Sequence, residues 1–494
     1  MLRPAMVELF FTALFLAVFG LLIAASVLAS RAMERLGVPV VLLFLVLGIL
    51  AGSEGIGGLE FSDYRFAFRA GTAALILILL DGGLNTPLAA IRECIRPAAV
   101  LATVGVAGTA GLVAVFARAM GLSWPESMLL GAVVSSTDAA AVFAVLRGGN
   151  LRLARRVGTT IELESGINDP MAVILTFGIV SLLSGENVSY AALAAGVPLQ
   201  LGIGLVIGAG CGFAARYLLK SMRLSTAGLY PVLILGLAFL SFGVATLFQG
   251  SGFLAVYAAA TVIGNSRIPF HSGLIRIHDA IGWVSQVSMF LMLGLLVFPS
   301  QLVPIAGVGI AIALFMAIVA RPLVVALCLL PFRFRPKEVA YIGWVGLKGA
   351  VPIILATFPV LAGVPEGMKV FNIVFFVVVC SALVPGATIR YFARRLRLES
   401  PEAPPPVAAL EINSTRLLNG ELMSFAITEP LAICNVPISK VPWPPNSSAV
   451  LLVRREQLLA PRGSTVLQPG DHIYVFCRTE DVPFIQFLFG RPTE

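Results

Sequence analysis

Oxygen-bearing side chains are concentrated in one short part of an otherwise apolar stretch, the segment "IELESGINDPMAV" at residues 161–173. On a helix with about 3.6 residues per turn, Ser165 and Asp169 share one face, Glu164 and Asn168 share another, and the two faces adjoin. Such a sector offers only oxygen ligands, which suit hard cations such as alkali ions. Pro170 lacks an N–H and loosens the helix directly beyond the sector. The segment therefore predicts a small-cation site.

Two other polar interruptions accompany this segment. "GAVVSSTDAAAVF" places consecutive hydroxyl and carboxylate side chains in mid-span, where they compete for backbone hydrogen bonds; they are Ser135, Ser136, Thr137 and Asp138. In "GLKGAVPII", Gly346, Gly349 and Pro352 surround Lys348. Both segments predict broken helices, and a pair of broken helices in different halves of a chain indicates a transporter binding site.

The composition gives these residues a membrane setting. The chain of 494 residues is 58% hydrophobic and 12% charged, with a mean hydropathy of +0.95, which predicts an all-α polytopic membrane protein. The first apolar run lacks the small-residue cleavage site of a signal peptide and is interpreted as a spanning helix. Hydropathy predicts thirteen spans, near 7–29, 38–54, 66–83, 96–120, 124–146, 156–184, 189–220, 226–248, 251–266, 276–298, 302–330, 337–360 and 368–395. The broken spans are the fifth and the twelfth, so they cross in opposite directions, as two inverted repeats require.

Positive charge alternates from loop to loop. Twenty of the 27 basic residues of the membrane part fall in every second loop and five in the other set. This asymmetry predicts an N-terminus outside and a C-terminus in the cytoplasm. The basic excess therefore belongs to membrane loops, and no nucleic-acid surface is expected.

Five acids lie within or close to the spans: Asp81, Asp138, Glu162, Glu164 and Asp169. Ionisable residues at membrane depth usually face a cavity, a partner or an ion path. Glu162 lies near an interface and is equally well explained as a helix end that reaches water.

After the last span the chain changes character. "SPEAPPPVAAL" predicts an extended linker, and the following segments alternate apolar and polar residues between Pro and Gly turns, as short strands do. The predicted organisation is a membrane domain at 1–397, a Pro-rich linker at 398–409 and a small α+β domain at 410–494. A domain of this size is a candidate for dimerisation.

Several other classes are not indicated. The six cysteines show no C-x-x-C spacing and the three histidines are scattered, so neither a transition-metal site nor a disulfide framework is expected. No G-x-x-x-x-G-K-[ST] motif is present, which argues against an ATP-driven pump. We therefore expect a transporter, neither an enzyme nor a user of cofactors.

Three of these motifs together resemble a known family. "SSTDAAAVF", "ESGINDPMAV" and "GLKGAVPIILA" are similar to the motif regions of the NhaP-type cation/proton antiporters, and the similarity covers the whole membrane part. In the tail, "APRGSTVLQPGD" resembles the core of the TrkA-C domain. The combination resembles the potassium/proton branch, which implies an NhaA-like antiporter fold with crossed broken helices, a homodimer in the bacterial inner membrane, and a cytoplasmic tail that regulates transport by binding a small molecule or nucleotide.

The resemblance also implies residue roles. Asp169 is the carboxylate that binds either an alkali cation or a proton, with Ser165 and the Thr137 backbone as further ligands. Asn168 stands where electrogenic relatives have a second aspartate, and the Asn–Asp pair implies electroneutral exchange. The remaining roles are charge compensation at the helix ends for Asp138, an ion pair with Lys348 for Glu164, and a place near the ion path for Asp81. Many relatives have "GLRGAV", and Lys348 in this chain cannot form the bidentate pair that an arginine forms.

Two alternatives stay open at this point. A sodium/proton antiporter with the same mechanism fits the motifs equally well. A cation channel with a cytoplasmic gating domain is a different class, since TrkA-C domains also occur on potassium channels. A channel is expected to carry a filter loop such as T-V-G-Y-G, and the sequence has none.

Overall fold

The computed structural model describes most of the membrane part and most of the C-terminal domain. The described residues are individual positions between 13 and 28, then 41–147, 151, 153–184, 190–222, 226–349, 351–400, 420–429, 431–455, 457–490 and 492. Most of the predicted first span, most of the predicted linker at 398–409 and the first residues of the predicted tail domain lie outside them. The described chain forms two compact units, one containing nearly all membrane helices and the other containing the C-terminal sheet.

The first half of the membrane part is a run of helices whose bounds follow the apolar segments. They are α1 (Val41–Ala51), α2 (Tyr64–Asn85), α3 (Leu88–Val100), α4 (Val106–Ala119), α5 (Trp124–Val134), α6 (Ala139–Arg147), α7 (Arg155–Leu183) and α8 (Tyr190–Ser221). Local sequence explains where some of them begin. Ser123 caps α5, because its hydroxyl accepts from Glu126 N while the Glu126 carboxylate accepts from Ser123 N.

The described residues of the second half form ten further helices. They are α9 (Leu229–Leu247), α10 (Gly252–Gly264), α11 (His271–Leu295), α12 (Pro299–Leu302), α13 (Ala306–Phe315), α14 (Arg321–Leu329), α15 (Pro336–Trp344), α16 (Val351–Leu361), α17 (Gly367–Ser381) and α18 (Ala387–Arg395). Among the described residues, seven helical stretches are long and apolar enough to cross a membrane, and shorter apolar helices accompany them. Each predicted span from 38–54 onward coincides with one helix or with consecutive helices, so the predicted all-α membrane fold is confirmed.

Three of the long spans contain a single π-helical turn. These turns lie at Leu101–Gly105 between α3 and α4, at Met316–Ala320 between α13 and α14, and at Ala382–Gly386 between α17 and α18. A π turn holds one more residue than an α turn and often occurs at a functional site. Two of them adjoin residues of the site described below, because Arg321 follows the second and Ser381 precedes the third.

The stripe of small residues on α8 packs inside the molecule. Gly204, Gly208 and Gly212 lie against the backbone of Ser251, Ala255 and Ala259, at and after the start of α10. Any side chain at these glycines would overlap that backbone. These glycines therefore allow α8 to pack closely against α10.

The C-terminal domain is a four-stranded antiparallel sheet with one helix. Its elements are β1 (Glu421–Ala426), β2 (Ser448–Arg454), β3 (Gln457–Leu459), β4 (His472–Cys477) and α19 (Val482–Phe489), with strand order β1-β4-β2-β3. Inward residues of the strands meet the helix in one core, formed in part by Phe425, Leu452, Ile473, Val475, Ile485 and Phe489. The predicted small α+β domain is thus present.

Candidate functional site

The two predicted helix breaks meet. The first lies between α5 and α6, at residues 135–138, and the second lies between α15 and α16, where residues 345–349 are described. The Asp138 N–H donates to the Leu347 carbonyl at 2.8 Å, so the extended segments of the two breaks are joined by a backbone hydrogen bond. Both breaks leave helix ends with unpaired backbone groups in the protein interior, and those groups need partners.

Asp138 satisfies one of these helix ends. Its Oδ1 accepts from the Ala141 N–H at 3.1 Å, as the side chain of an N-cap residue does at the start of α6. Its other oxygen, Oδ2, lies against Gly349 of the second break, where any side chain would overlap it. Gly349 is therefore needed for the carboxylate to approach the crossing. The contact of Asp138 with the start of α6 agrees with the compensation of a helix end that was predicted for it.

Lys348 satisfies the opposite helix end. Its Nζ donates to the Ser136 carbonyl at 2.6 Å and to the Ser135 carbonyl at 3.4 Å, directly after the last turn of α5. Its backbone N–H donates to Ser381 Oγ at 3.1 Å, beside the π turn that follows α17. A buried ammonium at the C-terminal end of a helix compensates its unpaired carbonyls and its dipole.

The cation-site sector of α7 faces the first break. Ser165 Oγ donates to the Thr137 carbonyl at 2.8 Å and accepts from the Ala139 N–H at 3.0 Å. Asn168 Nδ2 donates to Thr137 Oγ1 at 2.5 Å. The structure therefore brings Ser165, Asn168 and Thr137 together as the sequence predicted.

Asp169 lies in the same cluster with its carboxylate incompletely paired. The side chain is 7% exposed, lies within electrostatic range of Asp138 and Lys348, and is approached by the Ser136 hydroxyl without hydrogen-bond geometry. Within the described residues, Asp169 Oδ1, Asn168 Oδ1 and Ser136 Oγ are buried oxygens without a hydrogen-bond partner. Buried polar atoms normally have partners, so unpartnered oxygens on neighbouring segments fit an oxygen-coordinated cation.

The predicted ion pair between Glu164 and Lys348 is wrong. Glu164 is paired with Arg321 of α14, whose Nη2 lies 2.7 Å from both carboxylate oxygens, and both side chains are buried. Lys348 is occupied with the carbonyls at the end of α5. The physical reason is that helix spacing fixes which face of α7 carries Glu164 but not which neighbouring helix covers that face.

Arg321 is the residue of this site that the sequence interpretation missed. It is a lone charged residue in the apolar span 302–330, and a charge at membrane depth is the same signal that singles out the acids. Gly346 leaves the space that it occupies, since a methyl group there would come within 2.9 Å of Arg321 Nε. Within the described part of the chain, Arg321 Nε and Nη1 are buried without a hydrogen-bond partner.

Asp81 lies on a different pair of helices. It is half-buried near the end of α2, where its carboxylate accepts from Asn85 Nδ2 at 2.9 Å and faces Gly282 of α11. The structure therefore does not add Asp81 to the crossing where Asp138, Ser165 and Asp169 meet.

Comparison with known families agrees with this geometry. The family model described as sodium/hydrogen exchanger, transmembrane, matches residues 8–395. The chain belongs to the sodium/hydrogen exchanger family. This multi-pass membrane exchanger also carries a C-terminal domain that matches the TrkA-C domain model at residues 422–485. The resemblance inferred from the motifs is therefore confirmed.

Curated relatives extend over nearly the whole exchanger. The K(+)/H(+) antiporter NhaP2 of Shewanella oneidensis is 39% identical over 484 residues, covering 97% of this chain and 84% of the relative. The K(+)/H(+) antiporter NhaP of Alkalimonas amylolytica is 39% identical over 481 residues, covering 96% and 83%. The Na(+)/H(+) antiporter NhaS2 of Synechocystis is 26% identical over 369 residues, covering 70% and 66%.

A solved structure has the same membrane fold. The sodium proton antiporter MjNhaP1 from Methanocaldococcus jannaschii, determined at pH 8, superposes with a TM-score of 0.63 at 24% identity. The match covers 75% of this chain and 99% of the archaeal chain. The antiporter fold that the family resemblance implied is thereby confirmed.

Proposed function

We propose that this exchanger carries out electroneutral exchange of K⁺ for H⁺, with Asp169 as the group that binds either ion. The observation that carries the proposal is the buried Asp169 beside the crossing of two broken helices, with one carboxylate oxygen unpartnered among the described residues. A carboxylate cannot hold a proton and a cation on the same oxygen at once, so the two ions compete for one site. Competition at one site that opens alternately to either side is sufficient for exchange.

The residues around Asp169 bind the cation or compensate the broken helix ends. The Thr137 carbonyl, Ser165 Oγ and Asn168 Oδ1 supply neutral oxygen ligands for the cation, while Asp138 and Lys348 keep the broken helix ends compensated. Asn168 cannot ionise, and Glu164 is already neutralised by Arg321. Asp169 is then the group at the crossing that changes state, so one cation moves one way for each proton that moves the other. Asp81 is proposed to lie near the ion path.

Potassium is proposed because relatives spanning nearly the whole chain are named K(+)/H(+) antiporters. A second candidate is Na⁺/H⁺ exchange by the same mechanism, favoured by the more distant relative and by the solved structure, which are named for sodium. Oxygen ligands of the kind found here accept either alkali ion. The two candidates differ in one measurable property, the cation that drives proton movement.

The test is proton movement in proteoliposomes driven by gradients of potassium, sodium or rubidium. The proposal expects potassium-dependent exchange in the wild type, no exchange by Asp169→Asn, and normal exchange by Asp279→Asn, which removes an exposed carboxylate. Exchange driven by sodium alone would select the second candidate. Substantial exchange by a folded Asp169→Asn variant would rule out the mechanism, and an ion conductance without proton coupling would indicate a channel.

Electroneutrality is tested by the dependence of the exchange rate on the membrane potential. A potential of about 100 mV is worth about 2.3 kcal/mol for each elementary charge that crosses the membrane. Because the exchanged ions carry equal charge, an imposed potential at fixed ion gradients is expected to leave the rate unchanged. Net exchange started by an interior-negative potential alone would mean that a second group titrates.

The rest of the chain is proposed to organise and regulate this activity. Residues 1–397 would form the exchanger, 398–409 the linker and 410–494 a cytoplasmic regulatory domain that binds a small molecule or nucleotide. The match of the tail to the TrkA-C domain model supports this division, and the basic loops support an N-terminus outside the bacterial inner membrane. A homodimer is also proposed, on the small size of the tail domain.

Truncation after Leu398 tests the regulatory role. Exchange is expected to remain, with a changed dependence on pH or on a cytoplasmic ligand. Complete loss of exchange by a truncated protein that inserts and folds would contradict it.

A further inference from the structure

A phenol ring fills a notch in the helix that carries the ion site. Gly166 of α7 has no side chain, and a methyl group there would come within 2.6 Å of Cζ and 2.7 Å of Cε2 of Tyr257, which lies on α10. The Tyr257 hydroxyl is 3.1 Å from Thr86 Oγ1. Because Thr86 Oγ1 already donates to the Gly82 carbonyl at 2.7 Å, the tyrosine hydroxyl is the donor of this bond. The ring is therefore held on one side by packing and at its tip by a hydrogen bond.

The notch lies between a half-exposed acid and the buried acid of the proposed ion site. Glu162, Gly166 and Asp169 occupy positions i, i+4 and i+7 of α7, so they form one stripe along the helix. Glu162 is half-exposed and close enough to the phenol to interact with it electrostatically, whereas Asp169 is buried. Tyr257, itself only 7% exposed, therefore covers the stripe between Glu162 and Asp169.

The helices around the ring are joined in two different ways. Gly83 of α2 approaches the Tyr257 carbonyl, and Gly264 of α10 lies against the Leu84 carbonyl, so α2 and α10 touch backbone to backbone. The contact of α10 with α7 at Gly166 is made by the aromatic side chain. A side chain can rotate or slide where packed backbones cannot, so the ring is the movable part of this junction.

We propose that Tyr257 is a gate on the approach to Asp169 from the N-terminal end of α7, held closed by its hydrogen bond to Thr86. The inference rests on the proposed function, since it assumes that Asp169 exchanges ions with both sides. Alternating access requires such a barrier on each side of a central site. The positive-inside rule assigns the N-terminal end of α7, with its Arg155 and Arg156, to the cytoplasm, so the gate faces that side.

The test is the KM for K⁺ measured separately from each membrane face, in vesicles of both orientations. Tyr257→Phe and Thr86→Val each remove the same hydrogen bond, which shifts the population toward the open gate. The KM from the cytoplasmic face is expected to fall by roughly two- to tenfold, with an unchanged KM from the opposite face. The KM of the double variant is expected to match that of either single variant, because the Tyr257–Thr86 bond is absent in all three, and the bond from Thr86 Oγ1 to the Gly82 carbonyl lies outside the gate.

Two further variants make the experiment discriminating. Tyr341→Phe is the matched control, because its buried hydroxyl has no partner among the described residues, and it is expected to leave both KM values unchanged. Gly166→Ala pushes the ring out of the notch and is expected to lower the cytoplasmic KM as well; if it fails to fold, the isosteric Tyr257→Phe decides. A KM that is unchanged in Tyr257→Phe, or changed equally from both faces, overturns the gate. Absence of exchange in the wild type would instead refute the proposed function.

Discussion

Two arginine–carboxylate pairs lie in different environments of this molecule. In the tail, Arg454 Nε and Nη2 each donate to an Asp471 oxygen at 2.8 Å, Nη2 also donates to the Val466 carbonyl, and the Gln468 N–H donates to Asp471. In the membrane part, Arg321 meets Glu164 through Nη2 alone, and its other donors have no partner among the described residues. Asp471 and Glu164 are equally buried, but only the first has its charge surrounded by hydrogen-bond donors.

This difference in hydrogen bonding distinguishes an ion pair that stabilises the fold from an ion pair whose main effect is to neutralise a charge. The tail pair fixes the loop before β4 to β2, and backbone groups complete it. A buried pair with unsatisfied donors is a poor source of stability, since desolvation of the ions offsets most of their attraction. In the proposed mechanism, the membrane pair neutralises Glu164, five residues before Asp169, so that Glu164 does not compete for ions.

Breaking the membrane pair is expected to have the largest effect. Glu164→Gln or Arg321→Met alone leaves one buried charge without a counter-charge and should lower the free energy of unfolding by about 3 to 5 kcal/mol. The double variant Glu164→Gln/Arg321→Met should lose less than the more harmful single variant. Unfolding of all four proteins in detergent measures this coupling, and additive losses would contradict the pair.

Breaking the tail pair is expected to cost less, because Arg454 is partly exposed and Asp471 keeps the Gln468 N–H. Arg454→Met should lower the stability of the sheet by about 1.5 to 3 kcal/mol, read as faster hydrogen exchange of β2 and β4 amides in the full-length chain. The neighbouring Arg455 is exposed, so Arg455→Met is the control. The Asp471 hydrogen bonds raise the pKa of Arg454 above its usual value, so the guanidinium stays charged throughout this experiment. Equal hydrogen-exchange rates in Arg454→Met and Arg455→Met would contradict a structural role for the Arg454–Asp471 pair.

A smaller change in the stability of the sheet is expected from the titration of His472, which follows Asp471 in the chain. Burial lowers the pKa of His472 below its usual 6.5, although the nearby Asp471 opposes the shift. The unfolded chain therefore binds the proton more readily than the folded one, so the sheet should lose stability as the pH falls through and below about 6.5 and stay constant above it. Hydrogen exchange between pH 7 and 5 measures the slope, and His472→Gln should flatten it. An unchanged slope in that variant would contradict this assignment.

The smallest effect is expected where the sequence predicted a strong one. Lys348 and Glu164 make their short contacts with other groups, so the losses in Lys348→Met and Glu164→Gln should add in the double variant, with a coupling energy under about 1 kcal/mol. The same detergent unfolding experiment provides the number. A coupling energy between Lys348 and Glu164 as large as that between Glu164 and Arg321 would support the ion pair that the sequence predicted.

Local sequence was sufficient for the helix breaks and for the oxygen cluster. Four polar residues in mid-span and a Gly-Leu-Lys-Gly segment interrupt helices wherever they fold, and i, i+4 spacing fixes which side chains of α7 share a face. Both features depend on neighbours in the chain, so Ser165 and Asn168 were predicted to lie in one sector of α7. That Thr137 of the first break lies with them was implied by the family resemblance and not by local spacing.

Long-range partners could not be read in the same way. Arg321 is 157 positions from Glu164 in the chain, and no periodic pattern connects them. The strand order of the tail, in which β4 lies between β1 and β2, likewise results from pairing of distant segments. The presence of short strands follows from alternation, but which strands pair follows from packing of the finished core.

The π turn before Arg321 has a consequence for sequence comparison across the family. One residue beyond the α-helical count rotates everything after Met316–Ala320 by about 100° relative to an uninterrupted helical wheel. A wheel drawn through the whole span 302–330 therefore assigns Arg321 to the wrong side. A homologue that lacks one residue in this segment can form an uninterrupted α-helix while both flanking helix faces keep their orientation. A single gap in the sequence alignment here therefore marks a local conversion of the π turn to α-helix. The arginine that pairs with Glu164 stays aligned.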